Sequence, residues 1–252
     1  MNDESAITRR AALRLAATAG AGLVLAGCGT AGRRSPADGL GASPPSNGEA
    51  QEGISPTEDL MREHGVLGRV LLIYDESIRR LIALPEQAEV RVDVIAASAN
   101  IVRRFIEQYH EKLEEDEIFP RFQRAGQFVD LTQTLLRQHQ GGRTATENII
   151  RLATPDVRDS TAQRRELVNN LVMFNQMYRP HKAREDTVLF PAFHQIVSPR
   201  EMDELGDRFE SREQELFGAQ GFEGTVEQVA SLEQMLGIYD LDRFTPPAAG
   251  TA

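Results

Sequence analysis

The stretch Tyr109-His110-Glu111-Lys112-Leu113-Glu114-Glu115-Asp116-Glu117-Ile118-Phe119-Pro120 returns in outline as Pro180-His181-Lys182-Ala183-Arg184-Glu185-Asp186-Thr187-Val188-Leu189-Phe190-Pro191. Each copy carries a histidine, a glutamate four residues later, and Phe-Pro at nine and ten. Residues four apart share a helix face, so each copy sets an imidazole beside a carboxylate. Ahead of them, His64 precedes His110 by 46 residues and His139 precedes His181 by 42. The chain therefore reads as two helix-hairpin units, each with one lone His and one His-x-x-x-Glu. Two such units close a four-helix bundle.

Working outward, the helix signals are strong. Ser55-Pro56-Thr57-Glu58 is a capping box with Pro at the first helical position, Ser198-Pro199-Arg200-Glu201 repeats it, and Ser160-Thr161-Ala162-Gln163 is its glutamine variant. Leu84-Pro85, Gly126 and Thr154-Pro155 supply breaks. The pattern predicts long helices at about 56–84, 88–119, 129–153 and 160–196, then shorter ones near 199–217 and 223–237. No period-two strand pattern occurs, so the fold class is all-α: an up-down-up-down four-helix bundle with two additional short C-terminal helices. Those last two are expected to cover one end of the bundle.

Leu60, His64, Leu67, Leu71, Tyr74, Ile78 and Leu81 alternate at spacings of three and four, so His64 lies within an apolar seam. His110 follows Ile106, His139 follows Leu131 and Leu135, and His181 follows Leu171, Phe174 and Tyr178 on equivalent stripes. Four of the five histidines thus point into the core from four helices, while His194 lies off its stripe and is expected at the surface. An ionised carboxylate in such a seam costs several kcal/mol unless it is paired or coordinated. Two cations would resolve this, each taking two histidines, with Glu114 and Glu185 bridging. Imidazole and carboxylate without sulfur suit iron or manganese and are acceptable to zinc.

Composition narrows the alternatives. A formal charge of −10 repels phosphate backbones, so nucleic acid is excluded as the expected partner. The single cysteine permits no disulfide within the chain and no cysteine-based zinc or iron–sulfur site.

The Glu63-His64-Gly65-Val66-Leu67 opening, the two His-x-x-x-Glu…Phe-Pro motifs and His139-Gln140-Gly141-Gly142-Arg143 resemble the hemerythrin-like HHE cation-binding family over about residues 55–195. That resemblance implies a di-iron centre with His64, His110, His139 and His181 as terminal ligands and Glu114 and Glu185 as bridges. In invertebrate-type hemerythrins the third helix carries His-x-x-x-His; here Arg143 stands at the second position, and the fifth histidine is absent. Those proteins also place an Asp at the five-residue offset occupied here by Asp186, the rival to Glu185. Glu185 is favoured because the first repeat has its Glu at the same offset. Glu115 and Asp186 are read as outer carboxylates, and Tyr109 and Tyr178 as core aromatics with hydrogen-bonded hydroxyls. The four-His, two-Glu set is closer to bacterial iron-centre-repair proteins of nitric oxide stress than to oxygen carriers.

The expected function is a di-iron protein binding a small ligand (O2, NO or peroxide) for sensing, scavenging or buffering. The alternatives kept open are a di-iron redox enzyme (peroxidase, NO reductase or iron-centre repair) and iron storage or delivery.

At the front, Thr8-Arg9-Arg10-Ala11-Ala12-Leu13-Arg14 precedes a short Ala/Gly/Leu-rich run ending Leu25-Ala26-Gly27-Cys28. This resembles a twin-arginine signal, with Ala12 where a larger apolar residue is usual, joined to a bacterial lipobox. It implies a signal peptide over 1–27, lipidation of Cys28 and an extracytoplasmic, membrane-anchored lipoprotein of the cell envelope. Residues 28–54 read as a flexible Gly/Ser/Ala/Pro tether, 55–196 as the di-metal bundle and 197–246 as a C-terminal helical extension.

Overall fold

Ser55 does what its capping box predicts. Its hydroxyl accepts from the Glu58 N–H, and the Glu58 carboxylate accepts from the Ser55 N–H, fixing the start of α1 (Pro56–Ile82). The computed structural model describes residues 54–83 and 89–246. The expected signal segment, Cys28 and the tether up to residue 53 lie outside the described residues.

The second helix, α2 (92–125), is one continuous rod of α and π turns. It runs past the Phe119-Pro120 at which the sequence predicts an end, because proline is tolerated in the first turn of a new helical segment. Gly126, at φ 65°, stops it in the left-handed conformation that glycine adopts without strain. α3 (Val129–Leu152) and α4 (161–193) follow, α4 being capped by Ser160. α5 (Pro199–Phe217), capped by Ser198, and α6 (Gly221–Leu236) complete the chain of long elements. No strand occurs among the described residues, and none of their helices is long and apolar enough to cross a membrane.

α1 packs against α2 and α4, and α3 packs against the same two partners. Their shared interior is filled by Leu60, Leu67, Tyr74, Ile106, Leu135, Ile149, Leu171 and Phe174, all essentially inaccessible to water. Burial of this order, at roughly 25 cal/mol per Å² of apolar surface, is what makes long helices worth ordering.

The last two helices lie differently from the sequence expectation. α6 runs along the flank of α1, not over the end of the core. Contacts are spread along α1: Arg62 near Glu223, Arg69 bidentate to Glu233, and Arg80 donating to the Leu236 carbonyl. The reason is the apolar stripe Val229, Leu232 and Leu236, which needs a matching length of helix to bury it. Glu213 of α5 accepts from the Phe222 N–H at the start of α6. Gly221, at φ 34°, gives that carboxylate its room, since a Cβ there would collide with it.

Candidate metal centre

Each of the four core helices delivers one of the histidines singled out above: His64 from α1, His110 from α2, His139 from α3 and His181 from α4. These rings, with Glu114 and Glu185, are at most 3 % exposed. The local reason for the glutamate positions lies in the repeated Phe-Pro. Proline has no N–H and crowds the carbonyl one turn back, so the preceding turn widens. In α2 a π turn spans Glu114–Ile118, with the Phe119 N–H donating to the Glu114 carbonyl. In α4 the same turn spans Glu185–Leu189, with Phe190 donating to Glu185. The freed phenyl rings then stack on histidines of the other hairpin, Phe119 on His139 and Phe190 on His64.

The rings form two pairs. His64 and His110 have centroids 4.7 Å apart, and His139 and His181 are 5.0 Å apart. Glu114 lies between the pairs, 3.7 Å from His110 Nε2 and 3.3 Å from His139 Nε2. Glu185 does the same, 3.4 Å from His64 Nε2 and 3.1 Å from His181 Nε2. The six expected site residues are therefore all brought together. His64, His110 and Glu114 form one group able to hold a cation, and Glu114, His139, His181 and Glu185 form another.

The inward atoms lack other work. His110 Nε2, His139 Nε2 and both oxygens of Glu114 and of Glu185 are buried without a hydrogen-bond partner. Buried polar atoms are seldom left so, and an imidazole and carboxylate set with free lone pairs fits a metal ion well. Electrostatics agree. Burial and the neighbouring Glu185 charge push the Glu114 carboxyl far above the usual range. Burial also opposes Glu185, but His181 and His64 outweigh it and hold that carboxyl low. Burial and the nearby His64 drive His110 well down, so it is a neutral ring with a lone pair to offer.

The outward ring nitrogens are all held. His64 Nδ1–H donates to Asp186 at 2.6 Å, His110 to Glu63 at 2.8 Å, His139 to Glu115 at 3.1 Å and His181 to Gln138 at 2.9 Å. Such acceptors fix the tautomer and turn Nε2 inward. Each acceptor is the sequence neighbour of one of the six expected site residues. Glu63 and Gln138 precede His64 and His139 and serve the second histidine of their own hairpin. Glu115 and Asp186 follow Glu114 and Glu185 and serve the lone histidine of the other. The sequence reading found Glu115 and Asp186 in this outer role and missed Glu63 and Gln138. The hairpin repeat carries the missing signal, because positions one before His64 and one before His139 are equivalent.

Arg143, standing where a fifth histidine would be, donates to Glu115 at 2.6 Å and to Glu111 at 2.9 Å. Tyr178 donates its hydroxyl to Glu111 at 2.6 Å, and burial pushes the Glu111 carboxyl up to about 8. Gly142 is required by this arrangement: a Cβ would run into the Tyr178 hydroxyl. Exposed His194 stays outside the centre, bonded through Nε2 to Thr57 at 3.0 Å.

A family model, the hemerythrin HHE cation binding domain, matches residues 55–193. Two uncharacterized proteins, one from Mycobacterium bovis and one from Mycobacterium tuberculosis, are each 40 % identical over 242 residues, covering 96 % of this chain and 92 % of theirs. No solved structure matches.

Proposed function

The chain belongs to the hemerythrin HHE cation-binding family, and from that premise we propose that it is a non-haem di-iron protein that binds O2, NO or peroxide for sensing, scavenging or buffering. His64 and His110 would hold one ion and His139 and His181 the other, with Glu114 and Glu185 as the carboxylates shared between the two groups. The core that carries these residues is an up-down-up-down four-helix bundle over 55–196, with 197–246 as a helical extension. Support for that topology comes from the ring of neighbours α1–α2–α3–α4–α1.

The observation that carries the reading is the division of labour within each ring. All four Nδ1 atoms are bonded outward, and each glutamate lies within 3.7 Å of Nε2 from two helices. When bound, the ions supply positive charge for the two buried carboxylates and an open position for a small ligand. A donor set of imidazole and carboxylate alone suits iron. The Arg9-Arg10 and Leu25-Ala26-Gly27-Cys28 motifs support a position outside the cytoplasm, on a lipid anchor at Cys28.

Metal analysis of purified protein, with optical spectra before and after O2, peroxide and NO, tests this. About two iron equivalents per chain and a ligand-dependent spectrum are expected. Fewer at saturation, or spectra indifferent to every ligand, would overturn it. Acylation at Cys28 is tested by labelling with palmitate, which must vanish in Cys28→Ala.

A further inference from the structure

The two hairpins differ at equivalent positions. Four residues after the lone histidine stands Gly68 in the first hairpin and Arg143 in the second. One residue after the paired histidine stands Glu111 in the first and Lys182 in the second. Packing brings these positions together on both sides of the bundle, with opposite results. On one side Arg143 of α3 donates to Glu111 of α2 at 2.9 Å. On the other, Gly68 of α1 has no side chain to offer. The stem of Lys182 from α4 lies over it instead, with Cε 3.8 Å from where a Cβ would stand.

On the Arg143 side the contacts continue to two histidines. The same Nη2 atom donates to Glu115 at 2.6 Å, and Glu115 accepts the Nδ1–H of His139 at 3.1 Å. Glu111 in turn accepts the Tyr178 hydroxyl at 2.6 Å, and the Tyr178 ring stands edge-on to His181 with centroids 5.4 Å apart. The residue equivalent to Tyr178 in the first hairpin is Glu107, so this arm is one-sided as well. Glu111 is buried, and a buried carboxylate that loses its cationic partner keeps the full cost of desolvation. Arg143 therefore fixes where Glu111 can sit. Lys112 also reaches Glu115, at 2.8 Å, but its side chain is nearly half exposed, and pairs of that kind hold geometry weakly.

We propose that Arg143 is a positioning residue for one of the two metal positions alone, bracing His139 through Glu115 and His181 through Glu111 and Tyr178. This role rests on the metal-centre reading above and deepens it. An acceptor that is itself held in place fixes the tautomer and angle of the ring that donates to it. His64 and His110 depend on Asp186 and Glu63, and Arg143 bonds to neither. Two cation positions built from one repeated motif are thereby supported unequally, and a single side chain sets the difference.

Stepwise titration of the full chain with Co2+, followed by visible absorbance, reads the two positions, and His139→Ala identifies which equivalent belongs to the braced one. Arg143→Ala is expected to weaken that equivalent roughly 10- to 100-fold and to alter its absorbance, with the other kept at wild-type affinity. Loss of a positive charge beside a cation would by itself tighten binding, so weakening separates positioning from simple repulsion. Arg143→Lys, which returns a charged donor, recovers part of the affinity. Gly68→Ala, at the equivalent position, places a methyl in ordinary contact with Lys182 and leaves both equivalents unchanged. Tightened, unchanged or equally weakened equivalents in Arg143→Ala, or a matching loss in Gly68→Ala, would each overturn the proposal. If Arg143→Ala does not fold, Tyr178→Phe removes one hydroxyl from the brace and is expected to weaken the same equivalent by a smaller factor; wild-type affinity there would overturn it too. A wild-type chain that holds no cobalt would remove the metal centre and the brace with it.

Discussion

Asp186 Oδ1 lies 2.6 Å from Nδ1 of His64. Glu185, one residue earlier, approaches the other nitrogen of the same ring at 3.4 Å. Sequence neighbours thus grip opposite sides of one imidazole, and this separates their roles. Asp186→Asn should weaken metal binding roughly 10- to 100-fold while the content at saturation is kept, as expected when an orienting acceptor is blunted. Glu185→Ala should lower the content itself. Chelator competition and metal analysis distinguish the two, and equal behaviour would contradict the assignment.

Gly142 is a second point of leverage. Gly142→Ala forces the added methyl against the Tyr178 ring and hydroxyl, and overpacking of this kind costs about 1–3 kcal/mol. For a domain of this size that corresponds to a Tm drop on the order of 2–10 °C. Combining it with Tyr178→Phe should recover part of the loss, a non-additivity expected of touching residues. Strict additivity of the two Tm changes would show that the contact is not the cause.

Arg69 and Glu233 clamp α6 to α1 through a bidentate pair in which Glu233 is only 5 % exposed. Arg69→Ala leaves that carboxylate buried and unpaired, which should cost about 1–3 kcal/mol in denaturant unfolding. Glu233→Gln, which removes the charge but keeps an acceptor, should cost less. The reverse order would mean that α6 is held by its apolar stripe alone.

Glu76 provides a pH signature remote from the centre. Burial alone would raise its carboxyl, but Arg79 and Arg80 outweigh burial and pull it down to about 2 from an ordinary value near 4.5. A folded-state pKa below the unfolded one means that the ionised form favours folding. This contribution is fully present above pH ~4.5 and is lost as pH falls from there towards about 2. The Tm difference between wild type and Glu76→Gln should therefore be constant near neutrality and shrink across that window. A difference that stays flat down to pH ~2 would refute it.

The all-helical fold and the grouping of the histidines with Glu114 and Glu185 were legible for one physical reason. Helix periodicity and His-x-x-x-Glu spacing are local, and they were written twice, so each copy checked the other. Capping at Ser55, Ser160 and Ser198 and the stop at Gly126 are local too, and the helices begin and end there. What stayed hidden depends on neighbours from other helices. Glu63 and Gln138 acquire their role only when α1 meets α2 and α3 meets α4. Glu111 looks like an ordinary surface glutamate in the sequence, and only packing places the Tyr178 hydroxyl and Arg143 on it. The flank position of α6 escaped for the same reason, since its partner Arg69 is remote in sequence from Glu233.

Gln138 breaks an otherwise regular pattern. Three of the four Nδ1 atoms donate to carboxylates, and only that of His181 donates to a neutral amide. A carboxylate draws the ring proton towards itself and makes the imidazole a richer electron donor, whereas an amide does so weakly. Two ions seated here would be unlike neighbours. His64 and His110 would offer a cation the more strongly donating pair of rings, and His139 and His181 the weaker one. One glutamine in a duplicated framework is thus enough to polarise the pair.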